Sequence, residues 1–288
     1  MCGMKNPRSI AWALVAMSPF LSSPAYAQTA QTGSIVFEAH VAPSEGRPEP
    51  VRQLTFYLLR KSYADIRKEA EEGETKPDLD RFIDSLDVSK ELKAWMKKQH
   101  TVELSGSDFL SRLKPDDVFG VPEFREAYLK RNSGDTSVGF PSPKFRESDR
   151  QKNPEKYQKQ KEEYELALHK FLQSNPQSIE GMETNLDTIN PAQRWAQQQA
   201  ESQRRLRRRT SDLAQLRYLA AKTDTDLDGR GQFTGLAPGE YWLSTLETEA
   251  VAGDSRLRWD APVTVRAGAA SQVELSNLNA TEPRHPSQ

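Results

Sequence analysis

Apolar and polar positions alternate over residues 33–42. Ile35, Phe37, Ala39 and Val41 fall on one side and Ser34, Val36, Glu38 and His40 on the other, the pattern of a half-buried strand. A polar loop with Pro43, Gly46, Pro48 and Pro50 follows, and alternation returns over 51–60 through Leu54, Phe56 and Leu58. After Arg60 the period changes. From about 62 to 215 apolar residues recur at helical spacing in a background of mixed charge: Leu79, Phe82, Ile83 and Leu86, then Leu92, Trp95 and Met96, then Phe124, Ala127, Tyr128 and Leu129 behind Pro122. Residues 132–148 read as a Gly/Ser/Pro-rich loop. Asn153-Pro154 and Asn190-Pro191 each set Asn at an N-cap and Pro at the first helical position, where a missing N–H costs nothing. The first helix so started carries Tyr157, Tyr164, Leu168, Phe171 and Leu172. The second carries only Trp195, Leu206 and Leu213, a stripe sparse enough to be solvated or covered by a partner. Strand patterns resume near 216–223, 231–235, 240–247, 262–266 and 272–276, with Ala267-Gly268-Ala269-Ala270 as the last turn.

These elements predict an α+β chain: an antiparallel β-sandwich of about seven strands with a long α-helical insertion between the second and third strands. The expected parts are 28–61 and 216–278 for the sandwich, 62–215 for the insertion and 279–288 for a polar tail. Residues 1–27 read as a signal peptide, with Lys5 and Arg8 before an apolar run from Ile10 to Leu21 and Ala25-Tyr26-Ala27 as the cleavage site. Cleavage near Ala27 would leave an exported protein, periplasmic or secreted. The run is shorter than the ~20 residues needed to span a bilayer, and no later stretch is more apolar, so no transmembrane segment is expected. Cys2 would leave with the leader, which excludes disulfides and thiolate chemistry from the mature chain. The formal charge of −1 excludes a general polyanion binder, and nucleic acid is not an expected partner.

The stretch Thr223-Asp224-Thr225-Asp226-Leu227-Asp228-Gly229-Arg230-Gly231-Gln232-Phe233, followed by Leu236-Ala237-Pro238-Gly239-Glu240-Tyr241-Trp242-Leu243, reads as strand, turn, strand, turn and strand. It resembles the carboxypeptidase regulatory-like domain, a module with the transthyretin (prealbumin-like) β-sandwich fold and a relative of the Cna-B repeats. The matching residues are Thr223, Asp226 or Asp228, Gly229, Phe233, Leu236, Pro238, Gly239, Tyr241 and Leu243, with Val263, Val265 and Gly268 near the end. Gly33–Val41 and Val51–Leu59 fit the first two strands. The resemblance covers about 100 residues in two pieces. It departs from the family in an enlarged Asp/Gly turn and in the long helical interruption. It implies a prealbumin-like fold and an envelope setting, and no peptidase activity.

Asp224, Asp226 and Asp228 with Gly229 match the first half of a calcium loop, but position 12 is Gly235 where a bidentate Glu is needed. The same residues are explained by a turn with positive φ, so no cofactor is expected. His40, His100, His169 and His285 have no paired spacing for zinc. Ser111-Arg112-Leu113-Lys114 matches a penicillin-recognising serine motif without its partner motifs. Arg204, Arg205, Arg207, Arg208 and Arg209 form a basic cluster that reads as a solvated helix face or as a contact for an anionic surface. Tyr241, Trp242 and Trp259 are candidates for stacking on a carbohydrate, the other account being that the outward ring packs beneath the helices. The reading is a non-enzymatic binding or scaffolding module whose partner is an envelope protein or glycan. A carbohydrate-binding module and a hydrolase with a site among the helices are the alternatives.

Overall fold

The computed structural model describes residues 31–133 and 139–281; the expected leader, His285 and the end of the expected tail lie outside them. Strands β1 (Gly33–Val41), β2 (Glu49–Pro50) and β3 (Thr55–Leu59) come first. Helices α1 (Tyr63–Glu72), α2 (Leu79–Asp84), α3 (Lys90–Gln99), α4 (Gly106–Arg112), α5 (Pro115–Gly120), α6 (Pro122–Asn132), α7 (Asp149–Lys152), α8 (Pro154–Ser174) and α9 (Ala192–Leu213) follow. The chain closes with β4 (Leu219–Asp224), β5 (Arg230–Leu236), β6 (Gly239–Ser244), β7 (Ala250–Ala252), β8 (Ser255–Leu257), β9 (Asp260–Val265) and β10 (Ala270–Leu275). The protein is α+β, as expected.

One sheet runs β4-β3-β6-β9 and is antiparallel throughout. The other centres on β1, which pairs with β5 and β2 on one side and β10 on the other. The sheets are antiparallel as expected except for the β1–β10 pair, which is parallel, Ser34 opposite Ala270 through Ala39 opposite Leu275. The reason is topological: chain direction alternates along hairpins, but β1 and β10 are joined through the other sheet and no hairpin constrains them. The helices lie between the third and fourth strands, not the second and third. The added strand, β2, has two residues and leaves no alternation to detect. The β7–β8 hairpin is likewise too short for a periodic signal.

The facing sides of both sheets share one core. Ile35, Phe37 and Ala39 of β1 meet Phe56 and Leu58 of β3, Leu243 of β6 and Trp259, all at 1% exposure or less. The Phe37 ring lies 4.8 Å from Phe56 and 5.9 Å from Phe233. Each of the buried Ile, Leu and Phe side chains among them contributes about 1.5–3 kcal/mol. Gly231 lets Phe37 lie flat, because a Cβ there would sit 2.3 Å from its ring.

The helices have their own core. Phe82, Ile83, Leu92, Trp95, Met96, Phe109, Phe124, Tyr128, Leu172 and Met182 are buried together. Trp95 meets Phe124 edge-on at 5.0 Å and Phe109 at 5.7 Å. Asn153 caps α8 as expected, its side chain accepting from the Lys156 N–H. Asn190 acts one residue earlier than expected: its Oδ1 accepts from Ala192 N at 3.1 Å while Pro191 occupies the cap.

A third, small cluster joins the two parts. Leu59, Tyr63, Ile66, Ala214 and Leu246 are buried, with Trp242, Leu213, Tyr218 and Leu219 against them. Here α1 packs along the C-terminal half of α9. The buried face of that half is Ser202, Leu206 and Thr210, which explains its sparse apolar stripe. Thr210 returns its hydroxyl to the Leu206 carbonyl at 2.8 Å, so it is buried without an unmet donor. Glu69 of α1 accepts from Lys61, Arg217 and the Tyr218 hydroxyl, each at 2.6 Å. The Lys61 hydrogen bond leads in holding its carboxyl below the usual range. Helix continues from α9 as a π-turn over Ala214–Tyr218, so β4 starts at Leu219, three residues beyond the sequence expectation. The apolar Leu216 and Tyr218 in that turn mimic strand alternation. Among the described residues no helix is long and apolar enough to cross a membrane.

Candidate binding cleft

A cleft of about 840 Å³ opens where the helical and β parts meet. One wall is α1 and the turn after it, with Tyr63, Ala64, Arg67, Glu71, Glu74, Lys76 and Pro77. The opposite wall is α9, with Gln199, Ser202, Gln203, Leu206 and Arg207. Their spacing of three and four places them on one helix face. The floor comes from the β part: Leu246 and Glu247 after β6, then Arg258, Trp259 and Asp260 entering β9.

Local structure fixes each group. Ser62 caps α1, accepting from Asp65 N at 3.0 Å. Leu246 has a φ of +54°, an uncommon conformation for a branched residue, held by its N–H donating to Ser244 Oγ at 3.1 Å. That turn directs Glu247 into the cleft. There Glu247 accepts from the Tyr63 hydroxyl at 3.0 Å and from Arg258 at 2.9 Å. Ser211 Oγ lies 3.3 Å from the same hydroxyl. Burial, the leading cause, pushes the Tyr63 phenol well above its ordinary range, so it is a neutral donor at physiological pH. Arg258 is fixed further by Thr281, whose N–H donates to its carbonyl at 2.7 Å.

Asp260 stands at the N-terminus of α1, where Ala64 N–H donates to Oδ2 at 3.2 Å. Its Oδ1 is buried without a hydrogen-bond partner. Burial raises its carboxyl above the usual carboxylate value, outweighing the backbone hydrogen bonds that lower it. The folded protein therefore holds this proton to higher pH than the unfolded chain does. Its contribution to stability is greatest below the unfolded value and falls as pH rises through the folded one. Asp260→Asn is expected to raise Tm at pH 7.5, with the gain shrinking toward pH 4, as followed by thermal circular dichroism. A loss of Tm at pH 7.5 would mean the ionised carboxylate stabilises α1 through its N-terminus.

The residues singled out from the sequence lie elsewhere or play other parts. Asp224, Asp226 and Asp228 do not converge. Asp224 accepts from Thr55 Oγ1, while Asp226 Oδ1 accepts from Asp228 N at 2.9 Å and Arg230 N at 2.8 Å, which closes the turn. Gly229 takes φ +79°, and a Cβ there would lie 2.5 Å from the Ala39 carbonyl. Gly229→Ala is therefore expected to destabilise by more than about 1 kcal/mol, the cost of a left-handed non-glycine residue alone; equilibrium urea unfolding measures it. Among the described residues no three His, Asp or Glu side chains gather as metal ligands.

The three residues expected to stack on a carbohydrate lie in two different packing environments. Tyr241 (7% exposed) and Trp259 (1%) are core residues, their polar atoms donating to the carbonyls of Ala237 at 2.9 Å and Ser276 at 3.0 Å. Trp242 faces the other way and packs under α1 and the π-turn. Trp242 is partly buried there. Of the arginine cluster, Arg205 pairs with Glu74 at 3.1 Å, Arg209 donates to the Gly73 carbonyl at 2.7 Å and Arg207 lines the cleft. Ser111 lies in the last turn of α4 and donates to the Asp108 carbonyl. His40 lies 3.7 Å from Glu38, His100 ends α3 in a left-handed conformation, and His169 packs on Phe119.

Sequence reasoning missed Tyr63, Glu247, Arg258 and Asp260. Tyr63 is nearly two hundred positions from the others, and nothing in the sequence marks them as neighbours. No protein family model, curated protein or solved structure matches the chain.

Proposed function

We propose that this is an exported, non-enzymatic binding or scaffolding protein of the cell envelope, and that its ligand is taken up in the cleft between α1, α9 and the floor of the β part. In this reading the β part is a prealbumin-like sandwich of seven main strands related to carboxypeptidase regulatory-like domains. The sheet orders β4-β3-β6-β9 and β10-β1-β5, with one core between them, support it. The helices from α1 to α9 are the insertion, and the sandwich is the rigid base that carries them.

The observation that carries the proposal is the cleft itself. Its volume lies in the ~300–1,000 Å³ range of ligand sites. Its floor is built from residues already locked by hydrogen bonds, so the site is preorganised. Binding rather than turnover is the reading because the phenol and three of the cleft's four acids are engaged: Glu247 with Tyr63 and Arg258, Glu71 with Arg67, and Glu74 with Arg205.

A photo-crosslinking residue at Gln203, on the α9 wall, is expected to form an adduct in native envelope extract. The same residue at Leu227, in the turn at the opposite end of β3, is expected to form none. Equal labelling at both positions, or none at Gln203, would remove the cleft as the binding site.

A further inference from the structure

Resting on the cleft as the binding site, we infer that its ligand is a small amphiphilic anion: an apolar body bearing a carboxylate or phosphate head. Pairing the charges around the cleft leaves two cations without a partner at its mouth and one acid, Asp260, set at its floor. Glu71 is matched by Arg67 at 3.3 Å, Glu74 by Arg205 at 3.1 Å and Glu247 by Arg258 at 2.9 Å. Asp260 has one oxygen held by the α1 backbone, and the other is sealed from solvent. Arg207 on the α9 wall and Lys76 on the opposite rim remain. Both are exposed, and neither has a carboxylate of the described residues within ion-pair distance. Two unmatched cations at the mouth of a concave, partly apolar site concentrate positive potential there.

The apolar half of the argument comes from the same walls. Leu206, Leu246 and Pro77 line the cleft beside the edge of Trp259. Leu206 and Leu246 are almost wholly buried, so they form a fixed surface that does not collapse into the space. A purely polar ligand would leave that surface wet, and a neutral apolar one would leave both cations unused. An amphiphilic anion satisfies both. Arg207 suits either head group through its forked donors, and Lys76 adds a point charge.

The test is isothermal titration of the full chain with four ten-carbon probes below their micelle concentrations: decanoate, decyl phosphate, decanol and decyltrimethylammonium. One or both anions are expected to bind at a single site, and the preferred one identifies the head group. Decanol and the cation are expected to bind at least tenfold more weakly. Arg207→Gln and Lys76→Gln should each weaken the anion about tenfold with unchanged circular dichroism. Equal affinity for decanol, preference for the cation, or full affinity in the double variant would overturn the inference. Gln203→Trp, which fills the cleft from an exposed position, separates the two levels. If it leaves anion binding intact, both the anion site and the cleft reading fall. If crosslinking at Gln203 succeeds while no anion binds, only the anion inference falls.

Discussion

A chain in which residues 78–198 are replaced by a short Gly/Ser linker is expected to fold, whereas one lacking 64–214 is not. Every member of the helical core, from Leu79 to Trp195, lies inside the shorter deletion, and no residue of the β core or the joining cluster does. Its cut ends, Pro77 and Gln199, line the same cleft, so a short linker spans them. The longer deletion removes Ile66 and Ala214 and uncovers Leu59, Leu246 and Trp242. At about 1.5–3 kcal/mol for each large apolar side chain returned to water, that loss is comparable to the 5–15 kcal/mol by which a typical domain is stable. The excised piece, 78–198, is expected to fold by itself as a helical protein. Far-ultraviolet circular dichroism and limited proteolysis of all three proteins decide the matter. Cooperative melting of the chain lacking 64–214 would show that the joining cluster is dispensable.

Replacing Phe37 by Ala is expected to cost about 3–5 kcal/mol. Its ring touches Phe56 across the two sheets and Phe233 on the neighbouring strand, and the flat space over Gly231 fits nothing smaller without a void. For a chain of this size that corresponds to a fall in Tm of roughly 10 °C. Val36→Ala, one position along the same strand and pointing outward, should change stability by about 0.5 kcal/mol or less. Urea unfolding of the pair compares an inward and an outward position directly. Similar values for both would contradict the shared core.

The sequence exposed the parts of the fold that depend on local pattern. The alternation Ile35, Phe37, Ala39, Val41 is the inward face of β1, and Leu92, Trp95 and Met96 are the buried face of α3. The Asp/Gly turn also follows from its own residues. What periodicity cannot register is shortness and distance. β2, β7 and β8 span two or three residues each, below any repeat. The division at 62 and 215 followed the change of period, but the change of core comes near 78 and 198, because α1 and the end of α9 are helical and yet belong to the joining cluster. The aromatic residues misled for a related reason. Tyr241 and Trp242 must face opposite ways on a strand, but only the fold shows that one side is the β core and the other the underside of α1. The cleft was invisible because its α1 wall is separated in sequence from its α9 wall and its floor by the whole helical core.

β1 has a consequence for how the chain acquires its structure. Of the described strands it is the first to be synthesised, and its long partners β5 and β10 follow only after the helices. Until they emerge, its apolar row of Ile35, Phe37 and Ala39 has no sheet to join. The helical core, built from contacts within 79–195, can meanwhile form on its own. Folding is then expected in two phases, a fast helical one and a slow one that closes the sheets around β1, since non-local pairing carries a large loop-closure cost. The waiting β1 is also the segment most open to pairing with a second chain, which makes the interval before β10 arrives the period of greatest aggregation risk.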